Sequence, residues 1–172
     1  MRKLLSVLCL LGFVAAAAAQ TRSFSDNESK TFIIGLDSYF YGVSGTLDFE
    51  AAGRKSEASL SDGTVAVNGV VLEEGLQNTV IGVHDFTGNH VPELVIARQS
   101  AAAVWATVYA YTPDGWILIG KVGSENASEI RVFRQVLSIR LPSAMISWTW
   151  HGSQFDFKSS DGSPEPAVPC LH

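Results

Sequence analysis

The densest group of titratable side chains is His84, Asp85, His90 and Glu93, gathered within ten residues. Imidazoles beside carboxylates raise the question of a transition metal, with His84, His90 and Glu93 at spacings of six and three residues. Structural zinc takes four ligands, and neither an H-E-x-x-H helix nor a cysteine pair accompanies these three. The same stretch suits a turn, because the short polar side chains of Asp85, Thr87 and Asn89 can bond back to nearby amides. Hydrolytic chemistry has less to work with. There is no G-x-S-x-G elbow and no phosphate-cradling glycine loop. Ser147 and Ser153 lie near His151 and Asp156, a combination of residue types that arises by chance in many chains. The adjacent Glu73 and Glu74 do not face one another across a cleft as paired glycosidase carboxylates must.

Binding is better supplied. Four tryptophans and four tyrosines occur, among them Trp105, Trp116, Trp148, Trp150, Tyr39 and Tyr41. Trp148 and Trp150 are two residues apart and share one strand face, as core residues do. The Tyr39-Phe40-Tyr41 triplet sends rings to both faces of a strand, so at least one ring is expected at the surface. Tyr39, Tyr41, Trp105 and Trp116 are therefore the candidate ligand contacts, for a glycan or a protein surface.

The elements that must carry these residues are short and rich in β-branched and aromatic residues: TFIIGL (31–36), GTLDFE (45–50), TVAV (64–67) and VVL (70–72). Asn68-Gly69 between the last two is a strong hairpin signal, since both residues accept the positive φ of a type I′ turn. NTVIGVHD (78–85), ELVIAR (93–98), VWATVYAY (104–111) and WILIGKV (116–122) follow, the last two separated by the turn Thr112-Pro113-Asp114-Gly115. AMISWTW (144–150) and SQFDFK (153–158) alternate with period two. Residues 126–141 fit two templates: a helix opened by an Asn126/Glu129 capping box, or two strands. Their β-branched content and strand-rich context favour strands. The expected fold is a small, mainly antiparallel β domain over 31–158, blade-like, sandwich or partial barrel, with at most one or two short helices. The run 104–111, apolar on both faces, calls for coverage from both sides.

Val83 to Ala97 (VHDFTGNHVPELVIA), followed by VYAYTPDGWILIG at 108–120, resembles the FG-GAP and VCBS repeats of secreted β-propellers. The resemblance implies a calcium loop, with oxygen ligands from Asp85, Thr87, Asn89, the Val91 carbonyl and Glu93. Thr87 stands where that family has a carboxylate or Asn, and His90 where it has Gly, so any calcium held here is held weakly. The match covers about 40 residues by the repeat lengths of such folds, and no second copy stands out; a ring of at least four such blades exceeds this length.

The chain opens with Arg2 and Lys3, an apolar run Leu4 to Val14 and the small residues Ala15 to Ala19, the order of a secretory leader over 1–20. A polar lead-in (21–30) follows, and the Ser/Pro/Gly-rich segment 159–172 is expected as a disordered tail. Without Arg2 and Lys3 the formal net charge moves from −5 to −7. That acidic balance, with no basic stripe, argues against nucleic acid as a partner. After the leader no apolar run reaches the length of a membrane-spanning helix. Beyond the leader only Cys170 remains, so any disulfide would join two chains. The expectation is a secreted or periplasmic, non-catalytic binding or accessory domain without a cofactor other than weak calcium. The alternatives are a structural module of a surface assembly and a hydrolase with a cryptic site.

Overall fold

A computed structural model describes residues 31–168. The expected leader and lead-in, and Cys170 with its pairing, lie outside the described residues.

Two short strands, β1 (Ile33–Ile34) and β2 (Ser38–Gly42), precede three successive four-stranded meanders. The first comprises β3 (Gly45–Ala51), β4 (Arg54–Ser61), β5 (Thr64–Val67) and β6 (Val70–Glu73). The second comprises β7 (Thr79–His84), β8 (Glu93–Ser100), β9 (Ala103–Thr112) and β10 (Gly115–Glu125). The third comprises β11 (Ile130–Phe133), β12 (Val136–Arg140), β13 (Met145–Trp150) and β14 (Phe155–Ser159). β2 extends the second sheet, antiparallel to β7, and β1 extends the third, parallel to β11. The fold is all-β, and no helix occurs among the described residues, so none there is long and apolar enough to cross a membrane.

The second sheet is the middle layer. Leu47, Leu60, Val65 and Val67 of the first sheet meet Ile81, Val83, Leu94 and Ile96 on one of its faces. Val80, Val95, Val104 and Val108 on its other face meet Ile130, Leu137, Ile146 and Trp148 of the third. Burial on both sides explains why β7 and the first six residues of β9 are buried at every position, as the apolar run 104–111 required. The outer sheets show the half-buried pattern instead: Ile146, Trp148 and Trp150 are buried and alternate with more exposed neighbours. Each buried branched or aromatic side chain contributes about 1.5–3 kcal/mol relative to exposure, so the two cores together set the stacking order.

Local chemistry fixes the turns. Asn68 (φ 50°) and Gly69 (φ 81°) make the expected hairpin between β5 and β6. Asp62 (φ 48°) and Gly63 (φ 74°) do the same between β4 and β5. Residues 126–141 form two strands, as their β-branched content favoured. The segment 31–36 pairs only at Ile33 and Ile34, since Gly35 turns the chain at φ 96°.

Residues 159–168 of the segment expected as a disordered tail are among the described residues. The Ser160 amide donates to the Met145 carbonyl (2.9 Å), and the Trp148 indole donates to Glu165 (2.7 Å).

Candidate functional site

The 85–93 loop joins β7 to β8, and its geometry follows from two carboxylates placed against backbone amides. Glu93, 2% exposed, accepts from the Phe86 amide (2.7 Å), the Thr87 amide (3.2 Å) and the Thr87 hydroxyl (2.9 Å). Burial raises its pKa above the ordinary carboxylate value; these three hydrogen bonds oppose that rise, and the nearby Asp85 charge adds to it. Asp85 accepts from the amides of Gly88 (2.7 Å), Asn89 (3.2 Å) and His90 (3.0 Å). The Asn89 side-chain oxygen accepts from the Val91 amide at 2.7 Å. His90 takes the left-handed backbone (φ 64°) that the turn needs, in place of a glycine.

The loop is also tied to its surroundings. His84 Nε2 donates to the Arg134 carbonyl (2.7 Å) between β11 and β12, and Nδ1 lies 3.1 Å from Asp37. Nδ1 is buried and has no hydrogen-bond partner. Phe86, fully buried, packs edge-on against His84 and Phe155. The residues to which the resemblance assigns calcium are therefore adjacent, but each carboxylate already serves three donors of its own loop. An ion here would have to share those oxygens. Among the described residues no three His, Cys, Asp or Glu side chains converge as a metal set.

The four candidate rings are not brought together. Tyr39 and Tyr41 lie on β2, at one edge of the middle sheet, whereas Trp105 and Trp116 lie on β9 and β10 at the other. Trp105 is 8% exposed and lies over Gly123, where an added Cβ would come within 2.3 Å of the ring. Trp116 is half-buried between Phe49 and Tyr111, with centroids 5.8 and 5.5 Å away. Tyr39 packs against the core between the second and third sheets. The Tyr41 ring meets Phe32 edge-on at 6.0 Å.

Tyr41 also lines a cleft of about 300 Å³ where β2 and β7 meet the first sheet. Its walls include Val43, Leu60, Leu76, Asn78 and Thr79. The Tyr41 hydroxyl donates to the Asn78 side-chain oxygen (2.7 Å), and the Asn78 amide donates onward to the Gln99 carbonyl (3.2 Å). Thr79 is 2% exposed, and its hydroxyl has no hydrogen-bond partner. By strand alternation it shares a face with Ile81 and Val83, the face turned to the first sheet. At Gly63 the wall is tight: an added Cβ would stand 2.5 Å from the Leu76 carbonyl oxygen. No Asp, Glu, Lys, Arg or His lines the cleft, so its complement is neutral. Nothing in residues 76–79 marks a binding element in the sequence beyond a polar Thr79 opening a strand buried at every position.

Comparison with family models, with curated proteins and with solved structures finds no match to this chain.

Proposed function

We propose that this chain is an exported, non-catalytic binding domain whose ligand is a small neutral molecule, such as one neutral sugar residue of a glycan, held in the Tyr41–Thr79 cleft. The observation that carries the reading is the Thr79 hydroxyl, buried in the wall of that cleft without a partner. A buried hydroxyl left unpaired costs about 1–3 kcal/mol; its oxygen is closed to solvent here, so a ligand that supplies the missing hydrogen bond does so by shifting the cleft wall. The cleft volume, about 300 Å³, sits at the small end of ligand sites and suits one ring better than a chain of them. Leu60, Leu76 and Val43 offer apolar contact to a ring face, while Asn78 and Thr79 offer polar contact to its edge. The leader order of residues 1–20 supports export. The succession of three four-stranded meanders, with the 85–93 loop in the middle one, supports kinship with blade-forming repeats of the FG-GAP and VCBS kind. The binding reading is preferred to a hydrolase because His84 Nε2 is engaged by the Arg134 carbonyl, and His151 has its nearest carboxylate, Asp156, at 4.0 Å.

The test is a nuclear magnetic resonance titration with a panel of neutral mono- and disaccharides. Saturable shifts should centre on Tyr41, Asn78 and Thr79, and Thr79→Val should weaken them at least about tenfold, the effect of one lost buried hydrogen bond. A panel that leaves those three residues unmoved would remove the basis of the proposal.

A further inference from the structure

The first and third sheets each bury one face against the middle sheet and turn the other outward. The period of two assigns the outward side chains, and the two outer faces differ in sign. On the first sheet, Asp48 and Glu50 of β3 point outward opposite Glu57 and Lys55 of β4, and all four are exposed. Three acidic groups and one basic group give these strands a formal outward charge of −2. Asp48 and Glu57 stand directly across from each other, an arrangement of like charges that costs stability. They line an open depression of about 420 Å³. On the third sheet, Arg131, Ser138, Ser147 and Lys158 form one outward row across four strands, with Arg140 beside it on β12. Arg131, Arg140 and Lys158 against Asp156 give a formal outward charge of +2, again with all four exposed. Arg131 is paired with Glu129 at 2.6 Å. Among the described residues, Arg140, Lys158, Asp48 and Glu57 form no ion pair.

We propose that the basic outer face of the third sheet docks on the acidic outer face of the first sheet of a second copy of this chain, head to tail. Charge complementarity selects this occupant. Arg140 and Lys158 bring unpaired cations, and the Asp48/Glu57 pair offers two carboxylates whose mutual repulsion a cation relieves. Either face set against itself would oppose like charges, so a two-fold symmetric contact through one face is disfavoured. The two faces lie on opposite sides of the three-layer stack, so the contact is heterologous and repeats from copy to copy without closing. A face of four short strands offers only about 400 Å², from the spacing and rise of strands, which places the contact among weak, transient interfaces. The proposal does not rest on the Tyr41–Thr79 cleft, whose Leu60 and Thr79 face inward.

The test is analytical ultracentrifugation of the exported chain up to about 0.5 mM protein, at low and at high salt, with reductant present so that Cys170 plays no part. At low salt the average mass of wild type should rise with concentration past that of a dimer, as an open contact requires. Raising the salt from about 0.02 M to about 0.3 M should weaken the association at least about tenfold, because exposed charges are screened. Asp48→Ser/Glu57→Ser and Arg140→Ser/Lys158→Ser alter exposed side chains, so both should keep the strand circular dichroism of wild type. Each should associate at least about tenfold more weakly than wild type. Their equimolar mixture should recover the wild-type affinity and stop at a one-to-one dimer, since each variant keeps one intact face. Wild type that stays monomeric throughout overturns the proposal, as does association that only one of the two variants weakens, or a mixture that stays monomeric. Monomeric wild type that binds phosphatidylglycerol vesicles through Arg140 and Lys158 also overturns it, and gives the basic face to a lipid surface.

Discussion

The 85–93 loop and the 76–79 wall of the cleft are both polar stretches next to the start or end of a buried strand, yet they treat hydrogen bonds in opposite ways. In the loop, Asp85 and Glu93 each meet three donors, and even the Asn89 side chain is used on the Val91 amide. At the cleft, Thr79 carries a buried hydroxyl with nothing to bond. The loop has the more suggestive composition and a family resemblance, whereas the cleft has neither. Within 85–93 and 76–79, hydrogen-bond satisfaction separates the two better than residue type does, although His84, just before the loop, keeps one unpaired ring nitrogen. Groups that have already found partners hold structure, and a buried group without one marks a place where a ligand can add free energy.

The largest effect should come from Glu93→Ala. It leaves the buried Phe86 amide and the Thr87 amide without their acceptor, for a loss of about 3 kcal/mol by chemical denaturation. Asp85→Ala should lose about 1–2 kcal/mol, because its three amides lie in an exposed turn where water replaces part of what is removed. Glu93 also imposes a pH dependence. Its folded pKa is raised above 4.5, so the folded state holds the proton more tightly than the unfolded chain. The stabilisation linked to that proton is fully present below the unfolded value and is lost as pH rises through the folded one. Glu93→Gln should therefore gain on wild type as pH rises upward from about 4.5, the unfolded-chain range. A difference that does not change across that window would contradict the burial of this carboxylate.

Smaller effects follow. Thr79→Val should raise stability by about 1 kcal/mol, since it replaces an unpaired buried hydroxyl with a methyl group of similar size. Calcium should matter least. A dissociation constant near 10⁻³ M and about 1 mM calcium give about 0.4 kcal/mol, so a chelator should barely shift the melting curve. A calcium-dependent gain of several kcal/mol that Asp85→Ala abolishes would turn the loop from a structural element into a metal site.

How much of this was legible in the sequence depends on the range of the interaction. Asn68-Gly69 announced its hairpin because turn type is a property of two residues. The alternation through Ile146, Trp148 and Trp150 announced a half-buried strand, and the apolar run at 104–111 announced a central one. The stacking of three sheets was not announced. Period-two patterning tells which face is buried but not what buries it, and β1 finds its partner in β11 far along the chain. The repetition of the meander was equally hidden, because the 85–93 loop occurs only in the middle unit and the three units share no common turn sequence. Trp105 was legible as an aromatic and not as a buried one. Gly123 lies beneath it, and Pro166 and Ala167 line the same groove.

The most direct test sets the two regions against each other in one experiment. Thermal unfolding is followed for wild type, Thr79→Val and Asp85→Ala, each without ligand and with the tightest-binding neutral sugar at about 100 times its dissociation constant. Wild type and Asp85→Ala should each gain about 2.7 kcal/mol from the ligand, although Asp85→Ala starts lower. Thr79→Val should start higher than wild type and gain about 1.4 kcal/mol or less, the value for a tenfold weaker dissociation constant. A Thr79→Val protein that is less stable than wild type, or that gains as much from the ligand, would contradict the assignment of binding to the unpaired hydroxyl.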